Sequence, residues 1–168
     1  MAISIATTPV PPQSEIVRRL PGADFYDCYE TAIVPTDESA LALYLRVVAA
    51  TPAWVNKLMA LRNRIVRLVG LKNLGHLGDF KAGRPAGDYR VGDRVGIFSI
   101  RYLSEHEVIL GDADKHLNVE VSVCKLNDRV AVSTVVHTHN MLGRVYMLFV
   151  APVHRLIVPA TLRQLDRQ

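Results

Sequence analysis

The chain has 168 residues and a mass of 18.7 kDa, enough for one compact domain that needs no disulfide to stabilise it. Apolar residues make up 49% of the sequence and charged residues 21%, which excludes intrinsic disorder. The net charge is +4 and arginine far outnumbers lysine, but the basic residues are dispersed and no zinc-finger or RNA-binding motif is present. We therefore expect no nucleic acid partner.

Cysteine usage and apolar runs indicate the compartment. Cys28 and Cys124 lie in separate apolar stretches without a CxxC motif or nearby histidines, so we expect no disulfide, no metal and no cofactor. The N-terminus lacks the basic and apolar regions of a signal peptide. The apolar run 145–153 is too short for a membrane span and has charged neighbours. These features predict a cytoplasmic protein without a membrane span.

The first half of the chain predicts a strand and two helices. Prolines at 9, 11 and 12 predict a flexible N-terminal arm over 1–19, leaving 20–168 as a single domain. Residues 24–34 read as a strand, and the apolar run 40–49 as a short helix with Thr36 as N-cap. Thr51 and Pro52 begin a second helix that Gly70 ends. The glycine-rich stretch 71–88 is predicted to be a long loop.

The second half alternates with a period of two, which predicts antiparallel strands over 95–103, 107–111, 116–125 and 130–139. A two-residue turn at 127–128 pairs Val123 with Val132 and Val121 with Thr134. One face of this hairpin is then continuously apolar, and the other is polar. Asn140 caps a C-terminal helix from 142 to about 164, whose apolar first half predicts a helix enclosed on most sides.

This order of elements resembles the helix-grip fold of the Bet v 1-like or START-like (SRPBCC) superfamily. Within it, the chain is similar to an uncharacterised bacterial domain-of-unknown-function family. The resemblance covers most of the chain from about Asp24 and is carried by 89–98, 114–117, 121–123, 138–140, 143–146 and 152–155. It implies an α+β fold in which a curved antiparallel sheet wraps around a long C-terminal helix, with two short helices after the first strand. It also implies an elongated apolar cavity that holds hydrophobic molecules.

The polar face of the hairpin carries histidine and glutamate side chains that could transfer protons. The predicted register places four candidate catalytic residues on this face: His116, Glu120, His137 and His139. Because this face lies opposite the valines, a solvent-exposed polar surface is the simpler interpretation. An acid/base pair is the alternative, and we assign no metal site.

The apolar face offers a binding site for a hydrophobic or amphiphilic small molecule between the sheet and the C-terminal helix. The expected lining residues are Trp54, Leu58, Phe98, Val119, Val121, Val132, Thr134, Val136, Tyr146, Phe149 and Val150. Ligand binding is the leading hypothesis. The alternatives are an enzyme of the cyclase, hydratase or isomerase type, and a regulatory or assembly subunit without a ligand. The chain is expected to be a monomer or a homodimer.

Overall fold

A computed structural model describes residues 4–68 and 83–167, with side chains over 4–65 and 83–165. Its helices are α1 (Ala40–Ala49), α2 (Ala53–Leu68) and α3 (Met141–Leu162). Its strands are β1 (Ile5–Thr7), β2 (Phe25–Ala32), β3 (Arg94–Val95), β4 (Phe98–Leu103), β5 (Glu107–Ala113), β6 (Leu117–Lys125) and β7 (Arg129–Thr138). Short 3₁₀ turns cover Glu15–Arg19, Ala86–Asp88 and Arg163–Arg167. The predicted loop 71–88 lies mostly outside the described residues.

In the described part of the chain, seven strands form one open antiparallel sheet in the order β1-β2-β7-β6-β5-β4-β3. Strands β3 to β7 are sequential neighbours, and β2 returns to pair with β7. The predicted α+β class is confirmed, with a long helix after the last strand. This arrangement is consistent with a helix grip.

The predicted register of the β6–β7 hairpin is confirmed. Val123 pairs with Val132, Val121 with Thr134, and Val119 with Val136. Because paired residues in an antiparallel ladder point to the same side, the hairpin has two chemically distinct faces. We call the face that carries these valines the inner face, and the face that carries Glu120, Ser122 and Cys124 the outer face.

Two local predictions differ from the structure. The predicted strand 95–103 is divided into β3 and β4, because Gly96 adopts a φ of +59° that turns the chain between them. The N-cap of α1 is Ser39, whose hydroxyl accepts a hydrogen bond from the Ala42 amide at 3.2 Å, and not Thr36. The predicted cap of α3 is confirmed, since the Asn140 side chain accepts from the Gly143 amide at 3.1 Å.

The core lies where α1 and the end of α3 pack on the inner face. Burial of an apolar side chain contributes roughly 1.5–3 kcal/mol, so this cluster is the main source of stability. It combines side chains from both helices with those from five strands and the segment before β3: Tyr29, Leu41, Tyr44, Val48, Tyr89, Ile100, Val108, Leu110, Val123, Val130 and Leu162.

The outer face is covered and does not face solvent, contrary to the simpler interpretation of its polar residues. Residues 10–23 cross it, and Ile16 is fully buried against Ile109 and Val135. The Glu107 carboxylate accepts from the Ser14 hydroxyl at 2.5 Å and from the Glu15 amide at 2.7 Å. The segment expected to be a flexible arm is therefore packed on the sheet in the structure, where it also contributes strand β1.

The prediction that α3 is enclosed on most sides is wrong. Leu148 and Phe149 are each 73% exposed, and Met141 and Leu156 are exposed to a similar extent. By length and composition the helix could cross a membrane, although the core helix of a soluble protein can meet the same criterion. A core helix would be mostly buried, whereas only 6% of the most apolar stretch of α3 is buried. The apolar sequence of α3 therefore does not reflect enclosure by the sheet.

Candidate functional site

The four candidate catalytic residues of the hairpin have different side-chain neighbours, although the His139 amide donates a hydrogen bond to the His116 carbonyl oxygen at 2.8 Å. His116 is buried and its Nδ1 lies 3.0 Å from the Asn140 side-chain nitrogen, beside the start of α3. Glu120 is buried with Oε1 3.7 Å from Arg19 Nε. His137 Nε2 lies 3.2 Å from the Pro21 carbonyl oxygen, and His139 is exposed. Glu120 and His137 therefore contact the N-terminal segment, whereas His116 contacts the Asn140 cap of α3.

These contacts with protein groups weaken the hypothesis of an acid/base pair on the outer face. Buried Glu120 and half-buried His137 lie next to Arg19 and Pro21 of the N-terminal segment, which covers this part of the outer face. Among the described residues, no group of three or more His, Cys, Asp and Glu side chains is arranged to hold a metal ion.

The expected ligand-lining residues fall into two groups. Thr134 and Val136 are buried on the inner face, with Val119, Val121 and Val132 half-buried beside them. Phe98, Leu58, Tyr146 and Val150 are also half-buried. In contrast, Phe149 is 73% and Trp54 42% exposed, so these two side chains face solvent. The inner-face residues are the ones that the structure gathers in one place.

Three polar residues meet on the inner face beneath α3, and the sequence analysis did not single out two of them. Asp27 on β2 is the register partner of Thr134 on β7, so their side chains are adjacent on the same face. His154 of α3 places Nε2 3.2 Å from Asp27 Oδ1. Asp27 and His154 are well covered, with side-chain exposures of 10% and 19%. We call Asp27, Thr134 and His154 the inner polar cluster.

The inner polar cluster contains two buried atoms that no protein group satisfies. These are Oδ2 of Asp27 and Oγ1 of Thr134. A buried polar atom without a hydrogen bond costs roughly 1–3 kcal/mol, so each one calls for a partner such as an ordered water, an ion or a ligand. The described residues contain five further atoms of this kind, and the inner polar cluster brings two together on facing residues. Here the carboxylate oxygen accepts, while the hydroxyl can both donate and accept. Together they suit a ligand group that does both.

Aromatic and charged side chains surround the inner polar cluster. The Phe25 ring meets the His154 ring edge-on, with 5.7 Å between centroids, and Arg155 lies 5.8 Å from the Phe25 centroid. Burial, and then the Asp27 charge, raise the pKa of Tyr29, so this phenol stays protonated. A cleft of about 390 Å³ borders the cluster and is lined by residues 7–10, 26–29 and Arg155.

The sequence contains one signal that could have revealed this cluster. Within β2, the odd-numbered positions Phe25, Asp27 and Tyr29 share a face with the valines of β7. A carboxylate between two aromatic residues on an inward-facing row is unusual, since such a row normally carries apolar side chains. His154 is 127 residues away from Asp27, and no local pattern connects the two.

A second buried carboxylate, Glu107, has protein hydrogen-bond donors on both of its oxygens. Its Oε1 accepts from both the Ser14 and Ser122 hydroxyls, and Oε2 accepts from the Glu15 amide. A wide groove of about 700 Å³ runs past it on the outer face, between the two hairpin turns. Because all three donors belong to the protein, Glu107 holds the N-terminal segment in place.

Comparison with known proteins gives one match. The family described as "Protein of unknown function (DUF2867)" matches residues 19–161, from the end of the first 3₁₀ turn almost to the end of α3. No curated protein and no solved structure matches the chain. The matched range includes Asp27, Thr134 and His154.

Proposed function

Since the chain belongs to this family of proteins of unknown function, we propose its function from its own geometry: it binds a small apolar molecule that carries a hydroxyl group. The hydroxyl group of the ligand donates a hydrogen bond to Asp27 Oδ2 and accepts one from Thr134 Oγ1. The observation that supports this assignment is the pair of buried, unpartnered polar atoms on facing residues.

The side chains next to Thr134 favour an apolar ligand body. Val121 is its cross-strand partner on β6, while Val132 and Val136 lie two positions away on β7. Val121 and Val132 are only half-buried although they lie on the inner face. Covering that remaining apolar surface is favourable by about 25 cal/mol per Å². A ligand that is polar at one end and apolar along its length therefore fits this face.

Binding of a matched pair of probes tests the proposal. We expect 1-dodecanol to bind the purified protein more tightly than dodecane, as measured by isothermal titration calorimetry and by native mass spectrometry. Thr134→Val removes the hydroxyl while keeping the shape, and it should weaken dodecanol binding roughly tenfold, the value of one hydrogen bond, without affecting dodecane. Equal binding of both probes, or unchanged dodecanol binding by the variant, would refute the assignment.

A buried threonine elsewhere supplies the matched control. Thr31 is 2% exposed on β2, and its hydroxyl donates to the Ser4 carbonyl oxygen at 3.3 Å. Thr31→Val makes the same chemical change outside the inner polar cluster. We therefore expect this variant to bind dodecanol like the unmodified protein.

The contact between His154 and Asp27 favours a second candidate, an enzyme of the cyclase, hydratase or isomerase type. A carboxylate beside an imidazole orients the ring for proton transfer, and this pair replaces His116, Glu120, His137 and His139 as the best acid/base assignment. Gas chromatography of a bound alcohol after incubation would detect loss of water or rearrangement. Turnover that disappears in His154→Gln, with binding retained, would support catalysis over binding alone.

A further inference from the structure

One side of α3 presents large apolar side chains to solvent. At 100° per residue, the exposed positions of the helix occupy one arc about 140° wide. This arc contains five large apolar residues that are 42% to 73% exposed, which we call the α3 stripe: Met141, Val145, Leu148, Phe149 and Leu156. An exposed apolar surface of this size and regularity usually marks an interaction site.

The three helices carry only basic charged residues, and one exposed acidic group, Asp24, lies within electrostatic range of Arg144 at the edge of the α3 stripe. Helices α1, α2 and α3 contain seven arginine and lysine residues and no aspartate or glutamate, although the chain has 16 acidic residues. Arg144 and Arg155 are exposed along one edge of the α3 arc, and Lys57 and Arg64 are exposed on α2. A second copy that docked through this face would bring like charges together, which is unfavourable. An anionic partner complements the surface.

The contacts of α3 fix its orientation relative to any such partner. The helix is held at its start by the Asn140 cap beside His116, at its middle by the contact of His154 with Asp27, and at its end by buried Leu162. Because all three points face the sheet, α3 lies along the domain with its stripe directed outward. A partner surface can therefore contact the stripe along the length of α3, while the opposite side of the helix stays attached to the sheet.

From this combination we propose that the α3 stripe docks on the surface of an anionic lipid bilayer. The apolar side chains enter the boundary between headgroups and acyl chains, while Arg144 and Arg155 contact lipid phosphates. Interfacial helices combine these two elements, a face with large apolar residues and flanking cations. The apolar side chains of the stripe face away from the inner polar cluster, whereas Arg155 borders both, so the Leu148 and Phe149 variants test the docking without altering the cluster.

Vesicle co-sedimentation tests this docking. The protein should sediment with phosphatidylcholine vesicles that contain about one-third phosphatidylserine, and much less with phosphatidylcholine alone. Because each cation near an anionic surface contributes about a fivefold change in partitioning, Arg144→Gln with Arg155→Gln should reduce binding roughly 30-fold. Leu148→Ser with Phe149→Ser should reduce it by tenfold or more through lost apolar burial. Rising salt should weaken binding of the unmodified protein.

Two control variants separate the α3 stripe from general surface effects. Val34 is 85% exposed in the connection between β2 and α1, and Arg101 is exposed on β4. Val34→Ser and Arg101→Gln make the same changes elsewhere and should leave vesicle binding unchanged. Equal loss in these controls would overturn the proposal.

Other occupants of the stripe give distinct results. A dimer in light scattering that Phe149→Ser converts to a monomer, without vesicle binding, would assign the surface to a second copy. Absence of sedimentation with anionic vesicles would also overturn the proposal. All variants alter exposed side chains, so their thermal unfolding midpoints should match that of the unmodified protein.

Discussion

Replacing Thr134 with valine should stabilise the ligand-free protein, because the substitution removes a buried hydroxyl that has no partner. Thr134 is 3% exposed, so its oxygen lies beyond the reach of bulk water. Burying such a group costs roughly 1–3 kcal/mol, and valine restores nearly the same volume. We expect the free energy of unfolding to rise by about 1 kcal/mol. For a chain of this length, that corresponds to an unfolding midpoint about 3 °C higher.

The matched substitution Thr31→Val should have the opposite effect. Thr31 is 2% exposed, but its hydroxyl donates to the Ser4 carbonyl oxygen. Valine there removes a hydrogen bond worth roughly 0.5–1.5 kcal/mol, and a carbonyl loses its partner. Since both variants exchange a hydroxyl for a methyl group at equal burial, the apolar gain cancels in the comparison. The difference between them isolates the hydrogen bond.

Differential scanning calorimetry of both variants in the ligand-free state measures this difference. If Thr134→Val lowered the unfolding midpoint as much as Thr31→Val, the Thr134 hydroxyl would have a hydrogen-bond partner in the free protein. The observation behind the proposed ligand site would then be lost. A rise for Thr134→Val together with a fall for Thr31→Val agrees with the structure.

Three further predictions concern parts of the fold away from the inner polar cluster. A Cβ at Gly143 would overlap the backbone carbonyl of His116, just before β6, so Gly143→Ala should lower the free energy of unfolding in urea by about 2 kcal/mol. The control Gly87→Ala has open space around it and should leave this free energy nearly unchanged. Glu107→Gln places an amide among three hydrogen-bond donors, so it should lower the free energy of unfolding by roughly 2 kcal/mol and expose the N-terminal segment to proteolysis. The control Glu105→Gln changes an exposed side chain and should have neither effect. Burial raises the pKa of the Cys124 thiol to about 11, so the unfolded chain loses this proton at a lower pH than the folded chain. The free energy of unfolding should therefore fall between about pH 9 and 11. Cys124→Ala should make this fall with pH less steep, and an unchanged steepness would contradict the burial of the thiol.

The β6–β7 hairpin shows how much of the fold is determined locally. The alternation of valines and the two-residue turn determine its register, because a slip of one residue would move every valine to the other face. The periodicity of α1 and the Asn140 cap of α3 are local for the same reason. The polar residues of the outer face were also placed on the correct side. Their environment was predicted incorrectly, because a period of two identifies faces but not what covers them.

The segment that covers the outer face could not be predicted from its own sequence. Its prolines disfavour long helices and strands and predict loose attachment, and the structure has only a short 3₁₀ turn there at Glu15–Arg19. Glu107 nevertheless binds Ser14 across 93 positions, and Ile16 fills the outer core. A proline-rich segment needs no regular hydrogen-bonding pattern to pack when a distant carboxylate and an apolar pocket provide partners. Such long-range contacts leave no local trace.

The sequence by itself determined the α+β class, the strand register, the two faces of the sheet and the apolar character of α3. These depend on side-chain periodicity, which follows from backbone geometry within a few residues. Only the tertiary structure decided that the outer face is covered, that the α3 stripe is exposed, and that Asp27 meets Thr134 and His154. Hydropathy identifies the side chains whose burial is favourable. The packing of distant segments determines which of these side chains the chain itself covers and which stay exposed for a partner.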